Sequence, residues 1–163
     1  MRRLAADVML AKLARWLRLG GVSIEDVPNA SDARIISFVR RRKALLLTSD
    51  KQLALRSKKQ RFRVLLVEHS DIEHQLAYTS EALGLKLNET PNKICPECNG
   101  RLKKTSNKRL LGRVPKHALE SNNEFYICSK CGRIYWKGTH WKRISLRFKR
   151  VNKLACKKAK SSI

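Results

Sequence analysis

Four cysteines arranged as two CxxC pairs constrain this chain more than any other feature. Cys95 and Cys98 form the first pair, and Cys128 and Cys131 form the second, with 29 residues between the pairs. Each pair is followed by turn-forming residues, so each short turn directs two thiolates toward one point. Four thiolates in this pattern are typical ligands of a structural zinc ion, and the long intervening segment predicts the strands or loop of a zinc ribbon.

The alternative interpretation of these cysteines is a pair of disulfide bonds. A chain of 163 residues without a secretory signal peptide or an apolar run of membrane-spanning length favours a reducing compartment. We therefore predict zinc rather than disulfides, and a cytoplasmic protein without a membrane partner. Cys156 stands apart from the two pairs in a basic segment, which predicts a thiol without a role in the metal site.

The charge of the chain is strongly positive and unevenly distributed. There are 37 Lys and Arg residues against 13 Asp and Glu, a net charge of +24. Residues 1–90 carry 17 basic and 10 acidic side chains, whereas residues 91–163 carry 20 basic and 3 acidic ones. Such a field predicts a polyanionic partner, most commonly nucleic acid. Charge alone does not separate RNA from DNA or from an anionic membrane surface, and a merely solubilising surface is the remaining alternative.

Strand and helix patterns alternate over the first 90 residues. Short apolar segments predict four strands, at residues 4–9, 22–27, 44–48 and 64–67. Apolar residues at helical spacing predict helices between and after them. This alternation predicts an α/β fold with a parallel sheet in a three-layer sandwich.

The composition changes near Thr90-Pro91-Asn92, which predicts a domain boundary. We assign residues 1–90 to the α/β domain and residues 91–148 to the zinc-ribbon module. The remaining residues, 149–163, are basic and polar, and we predict a tail that is disordered unless bound.

Three aspartates follow or precede predicted elements at one edge of the sheet. Asp7 follows the first strand, Asp50 follows the third, and Asp32 opens the helix between the second and third. Ligands of parallel sheets bind at the carboxyl ends of the strands, and carboxylates gathered there suit magnesium or manganese. The alternative is that each aspartate caps the helix that follows it, since Asp is a favoured N-cap residue.

Three segments of the chain resemble a known family. Residues 6–20, ADVMLAKLARWLRLG, look like the opening of the Mut-seven-C RNase domain family, a PIN-like nuclease group. Residues 46–50, LLTSD, match its Leu-Leu-Thr-x-Asp segment, and residues 128–141, CSKCGRIYWKGTHW, resemble its C-terminal zinc ribbon. The resemblance covers about residues 4–145.

This resemblance implies a PIN-like three-layer sandwich followed by a zinc ribbon, and the activity of a ribonuclease. By the same resemblance Asp7, Asp32 and Asp50 are the acids that bind magnesium or manganese. The chain has Ser49 where members of the family often have Arg, so a basic group near the scissile phosphate is missing or is supplied elsewhere. PIN-like sites usually have a fourth acid, for which Asp26 and Asp71 are both candidates.

Basic and aromatic residues outside the acidic set are candidates for RNA binding. Lys12, Arg15 and Arg18 recur every three residues on the first helix, where they either hold phosphates or form a solvated face. A second group combines stacking rings with cations: Trp136, Lys137, His140, Trp141, Lys142 and Arg143. A small ribbon also needs aromatic residues in its core, so we expect at least one of the two tryptophans to be buried.

The leading hypothesis from the sequence is a metal-dependent ribonuclease, most simply an endonuclease, that acts on structured or ribosomal RNA. The alternative is a non-catalytic RNA-binding protein on a nuclease-like scaffold, associated with ribosomal particles. In both cases the expected partner is RNA, with ribosomal or transfer RNA first. A nuclease or accessory protein acting on DNA is a third hypothesis.

Overall fold

A four-stranded parallel sheet forms the framework of the first part of the chain. Its strands are β1 (Leu4–Ala6), β2 (Glu25–Asp26), β3 (Leu45–Thr48) and β4 (Val64–Leu66), in the spatial order β2-β1-β3-β4. Each neighbouring pair is parallel, so the carboxyl ends of all four strands meet at one edge. The predicted α/β class with a parallel sheet is confirmed.

The computed structural model describes residues 3–90, 93–105, 110, 112–138 and 140–161, the last six by their backbone alone. The predicted boundary at residue 91 coincides with Pro91 and Asn92, which lie outside the described residues, as do Ser162 and Ile163.

Helices cover both faces of the sheet. A short 3-10 turn, Val8–Leu10, leads into α1 (Ala11–Leu19); the other helices are α2 (Asp32–Arg42), α3 (Lys51–Lys59) and α4 (Ile72–Leu83). Successive strand residues point to opposite faces. Leu45 and Leu47 therefore pack in one core with α1 and α4, whereas Leu46 packs with α2 and α3 in the other.

A second, antiparallel sheet follows. Its strands are β5 (Leu102–Thr105), β6 (Phe125–Cys128) and β7 (Ile134–Trp136), in that spatial order, with the short helix α5 (Lys116–Ser121) between β5 and β6. Phe125 is fully buried at the centre of a small core that includes Leu110 and Ala118. Three short strands and a small core bury little apolar surface, which is typical of small units that a bound metal stabilises.

The C-terminal segment is helical and completes the core of the first sheet. Helix α6 spans His140–Ser161, and its Phe148 and Val151 are fully buried in the core with α1 and α4. The prediction that residues 149–163 form a disordered tail is therefore wrong through Ser161. The apolar residues Ile144, Phe148 and Val151 recur at helical spacing, but the many lysines and arginines concealed this pattern.

Hydrogen bonds fix α6 along its length. The side-chain amide of Asn152 donates to Leu87 O at 2.9 Å, and its oxygen accepts from Leu87 N at 3.0 Å. The indole nitrogen of Trp141 donates to Glu89 O at 3.3 Å. In the described part of the chain, no helix combines the length and the apolar character needed to cross a lipid bilayer.

The packing of α6 predicts that Phe148→Ala destabilises the whole first domain. Removing a fully buried phenylalanine leaves a cavity and costs about 3–5 kcal/mol of unfolding free energy. Leu146→Ala is the matched control, because Leu146 is an apolar residue of the same helix that is 54% exposed. Urea denaturation followed by circular dichroism measures both changes, and equal effects of the two variants would show that α6 is not part of this core.

Candidate active site and metal centre

Asp7 stands at the carboxyl end of β1 and is buried. The residue is only 4% exposed. Its backbone N–H donates to Leu47 O at 2.9 Å and so extends the pairing between β1 and β3. Asp7 therefore lies at the carboxyl edge of the sheet, the position that the sequence predicted. Asp7 makes no side-chain cap for the 3-10 turn that follows it, so the helix-cap alternative is wrong at this position.

Thr48 connects Asp7 to Asp50. Its hydroxyl donates to Asp7 Oδ2 at 2.9 Å and accepts from the backbone N–H of Asp50 at 3.0 Å. A hydroxyl has one proton to donate and two lone pairs, so both bonds form at once. A single fully buried threonine at the end of β3 thus fixes the two acidic positions relative to each other.

Asp50 is the N-cap residue of α3. Its Oδ1 accepts from Gln52 N at 2.7 Å and from Leu53 N at 3.0 Å, and its Oδ2 takes part in neither bond. The cap interpretation is correct for this residue. Capping uses one carboxylate oxygen, however, so it is compatible with a ligand role for the other.

Asp32 lies one residue inside α2, where Ser31 is the N-cap residue. Its Oδ2 accepts from Arg56 Nη1 of α3 at 2.6 Å. The aspartate therefore forms an ion pair across the two helices on one face of the sheet and does not cap α2.

The three aspartates do not form one tight cluster. Among the described residues, the group of His, Cys, Asp or Glu side chains with ligand atoms all within 4.8 Å of one another is the set of four cysteines. Asp7 and Asp50 are joined through Thr48, whereas Asp32 is held by Arg56.

The two candidates for a fourth acid both have structural partners. Asp26 Oδ1 accepts from Arg18 Nη2 at 2.7 Å. Asp71 caps α4 and pairs with His74, and the backbone hydrogen bond from His74 is the main reason that the pKa of Asp71 is lowered.

Glu68 is an acid at the same edge that the sequence analysis missed. Val67 N donates to Thr48 O at 2.8 Å, so the chain beyond β4 remains paired with β3, and Glu68 is the next residue. Its Oε1 lies 2.9 Å from Lys51 Nζ, directly after Asp50. Its position after an apolar strand is the same pattern that identified Asp7, and that pattern could have found it.

The four cysteines form a site that fits a structural metal such as zinc. Cys95 Sγ lies 3.8 Å from Cys131 Sγ, and Cys98 Sγ lies 3.5 Å from Cys128 Sγ. Tetrahedral zinc with Zn–S bonds of about 2.3 Å requires S···S separations of about 3.8 Å, so the sulfurs are already at ligand spacing. A Cβ on Gly100 would lie 2.8 Å from Cys128 Sγ, which explains the glycine after the first pair.

Backbone amides stabilise the thiolate form of Cys128. Burial raises the pKa of this thiol, but hydrogen bonds from the N–H groups of Cys131 and Lys130 and from the side chains of Cys98 and Cys131 together lower it to about 6. Burial raises the pKa of the neighbouring Cys98 to about 12. A metal ion would stabilise thiolates at all four positions.

Arg18 joins the first domain to the first cysteine turn. Its Nε and Nη2 donate to Ile24 O at 2.9 and 2.7 Å, and its Nη1 donates to the carbonyls of Pro96 and Glu97 at 3.3 Å. The residue is only 2% exposed. The prediction that Arg18 binds RNA is therefore wrong, because this guanidinium is buried and already used.

The other two cations of α1 differ from Arg18. Arg15 Nη2 lies 2.7 Å from Glu97 Oε1, and its side chain is 60% exposed. Lys12 is exposed. Both remain predicted RNA-binding residues, although Arg15 also contributes to the contact between α1 and the cysteine turn.

The aromatic and basic group after the second cysteine pair lies at the surface. Trp136 is 37% exposed and Trp141 is partly exposed, so the expectation that one of them is buried is wrong. Lys137, Lys142 and Arg143 are exposed, as is His140, whose Nδ1 accepts from Arg143 Nη2 at 3.0 Å. Trp141 anchors the start of α6, whereas the remaining members of the group stay predicted RNA-binding residues.

The geometry of the cysteine site predicts one zinc ion per chain in protein purified under reducing conditions. Cys98→Ser should abolish zinc retention, because a hydroxyl is a poor substitute for a thiolate ligand. Cys156→Ser, outside both pairs, is the control and should retain the metal. Elemental analysis measures both, and wild-type protein without zinc would contradict the assignment.

The contacts of Arg18 predict that Arg18→Met lowers the unfolding free energy by about 2–3 kcal/mol, because the hydrogen bonds of a buried charged group are lost. Arg15→Met is the matched control. It removes an exposed ion pair, which contributes about 0–1 kcal/mol, and Glu97 keeps its second partner, Arg133 Nη1, at 2.6 Å. Equal losses in thermal unfolding would show that Arg18 does not connect the two parts.

Comparison with known proteins adds one finding to this geometry. The family model described as the Mut7-C RNAse domain matches residues 2–148, which include the acidic edge, the four cysteines and the start of α6. No curated protein and no solved structure matches the chain at a significant level. A match over most of the chain shows the family and indicates a nuclease or RNA-related role: the protein belongs to the Mut7-C RNAse domain family.

Proposed function

We propose that this protein is a magnesium- or manganese-dependent endoribonuclease that acts on structured RNA of the cytoplasm, with ribosomal and transfer RNA as the first candidates. The sheet edge with Asp7 and Asp50 is the catalytic part. The basic surface of the ribbon and of α6 binds the substrate. Family membership supports the nuclease class, and the net charge of +24 supports a long polyanionic substrate.

The observation that carries this proposal is the carboxylate of Asp7. The residue is 4% exposed, and within the described part of the chain its carboxylate accepts a hydrogen bond from Thr48 but forms no ion pair. A buried carboxylate without a positive partner is costly, so this position favours a bound cation. Hard oxygen ligands suit magnesium or manganese.

Asp50 and Glu68 extend the site along the same edge. Asp50 Oδ2 is outside both cap bonds, and Glu68 follows the adjacent strand. In this proposal Asp32, at the start of α2, is the third acid that binds the cation. A divalent cation held there would activate water and stabilise the charge that develops on a phosphate.

Arg56 supplies the basic group that the sequence lacks at position 49. Its side chain is 61% exposed, and Nη1 alone bonds to Asp32. A guanidinium has further donors in a planar fork that matches phosphate oxygens. In the proposed reaction Arg56 orients the scissile phosphate, and Thr48 keeps Asp7 in place.

We also propose that two parts of the chain have different functions. Residues 1–90 form the nuclease domain, and residues 91–148 form the zinc ribbon that grips RNA. Helix α6 connects them, since it begins at His140 within the second unit and its Phe148 and Val151 pack in the core with α1 and α4. Lys12, Arg15, Trp136 and the exposed residues at the start of α6 would contact the substrate.

The second candidate is a non-catalytic RNA-binding protein associated with ribosomal particles. The ion pair between Asp32 and Arg56 favours it, because a salt bridge occupies one of the three acids. In that case the acids at the carboxyl edge of the sheet have no catalytic role. RNA binding would then persist, while cleavage would be absent even with manganese.

The proposed function predicts manganese-dependent cleavage of a structured ribosomal RNA transcript that falls by about 100-fold or more in Asp7→Asn and Asp50→Asn, because groups that stabilise transition-state charge contribute on that scale. Asp71→Asn is the matched control for Asp50→Asn. Both residues cap a helix through Oδ1 with two backbone amides, but only Asp50 is tied to Asp7 through Thr48.

Cleavage is measured by gel electrophoresis of end-labelled RNA, and RNA binding by filter retention on the same samples. Retained binding with lost cleavage supports the catalytic assignment. If the wild-type protein never cuts RNA, or if Asp71→Asn and Asp50→Asn reduce cutting equally, the assignment is wrong.

A further inference from the structure

A groove of about 410 Å³ lies between α1 and α6, built from elements other than those that hold Asp7 and Asp50. Trp16 of α1 lines one side. The other side is lined by residues of α6, chiefly His140, Arg143, Ile144, Arg147 and Arg150. Three arginines and one aromatic ring in a single groove are an unusual concentration of groups that bind phosphates and nucleotides.

Glu73 of α4 holds two of these arginines side by side. Its Oε1 accepts from Arg147 Nε at 2.9 Å and from Arg150 Nη2 at 2.7 Å, and its Oε2 accepts from Arg150 Nε at 3.3 Å. These hydrogen bonds, the one from Arg150 first, keep the pKa of Glu73 below its usual value. The carboxylate is therefore charged at neutral pH and fixes both guanidiniums.

Trp16 fixes Arg147 from a second direction. The guanidinium carbon lies 4.6 Å from the centre of the Trp16 ring, within the range of a cation–π contact. Trp16 itself packs edge-on against the fully buried Phe148, with ring centres 5.8 Å apart. The arginine is thus pre-organised by a carboxylate and by a ring that cannot move freely.

These contacts do not use all of the positive charge or all of the hydrogen-bond donors of the three arginines. Glu73 supplies one negative charge to two guanidiniums, and the hydrogen bond of Arg143 among the described residues goes to Nδ1 of His140. Arg147 gives Glu73 its Nε alone, so its Nη groups make no hydrogen bond within the described residues. Arg150 is 57% exposed. The groove therefore has an excess positive charge and free donors in fixed positions.

We propose that this groove is a phosphate-binding subsite for an RNA backbone, additional to the acidic edge, in which Arg143, Arg147 and Arg150 bind phosphates. The inference rests on the proposed RNA substrate, but it does not depend on cleavage. The exposed Leu146 and the partly exposed Ile144 beside the arginines suit the sugar and base that accompany each phosphate. Arg fixed by Glu73 and Trp16 loses little conformational entropy on binding.

The test distinguishes a specific binding site from nonspecific electrostatic attraction by comparing arginines of the groove with a lysine outside it. Arg143→Gln and Arg150→Gln each remove one charge from the groove, and Lys153→Gln removes one from an exposed position further along the same helix. Arg150→Lys keeps the charge but loses the planar fork. Binding of a fluorescein-labelled structured RNA is measured in the Asp7→Asn background without added divalent ions, so that no cleavage occurs.

We expect Arg143→Gln and Arg150→Gln to weaken binding by about tenfold each and to reduce the slope of log affinity against log salt by about 0.7–0.9. Lys153→Gln should weaken it by less than about threefold, and Arg150→Lys should fall between Arg150→Gln and wild type. Arg143 has no bond to α4, so its variant tests the groove even if Arg150→Gln loosens α6. Equal effects at all positions would overturn the subsite and leave only a diffuse field. If the wild-type protein binds RNA through the groove but never cleaves it, the subsite stands and the nuclease proposal fails.

Discussion

The buried guanidinium of Arg18 connects the main parts of this structure. It bonds to the carbonyl of Ile24, to Asp26 and to two carbonyls of the first cysteine turn, so that α1, β2 and the metal site share one hydrogen-bonded centre. Only a side chain with five donors in a rigid plane satisfies so many acceptors at once. Asn99 strengthens the same junction, since its side-chain oxygen accepts from Ile24 N at 3.2 Å. The stability of the ribbon is therefore coupled to that of the first domain through α1 and β2.

Acids and cations are unevenly distributed along the chain. Asp7, Asp50 and Glu68 follow strands of the first sheet, whereas the chain beyond Glu124 contains lysines and arginines but no acid. A polyanion that approaches this last segment is therefore not repelled by acids of the segment itself. The pairs that do form between them, such as Arg56 with Asp32, place individual guanidiniums beside the acidic edge.

The sequence predicted the sheet well because its strands are short, apolar and bounded by polar residues. The four predicted strands, the helices after them and the acids Asp7 and Asp50 at the carboxyl edge all appear in the structure. The prediction of a disordered C-terminal tail was wrong for α6, because a high density of lysine and arginine was interpreted as disorder. Phe148 and Val151 nevertheless recur on one buried face of this helix. Glu68 was also missed, because the search for a fourth acid considered aspartates only.

The sequence by itself determined the class of fold, the family resemblance and the four cysteines that can hold a metal, since these depend on local spacing and on residue type. Tertiary structure alone decided how each charged side chain is used. Lys12 and Arg18 both lie on α1, yet Arg18 is buried against carbonyls of the first cysteine turn and Lys12 is exposed. Asp32 and Asp50 both stand at the start of a helix, yet one pairs with Arg56 and the other caps the backbone. Such differences depend on which distant element packs nearby, and no local pattern contains that information.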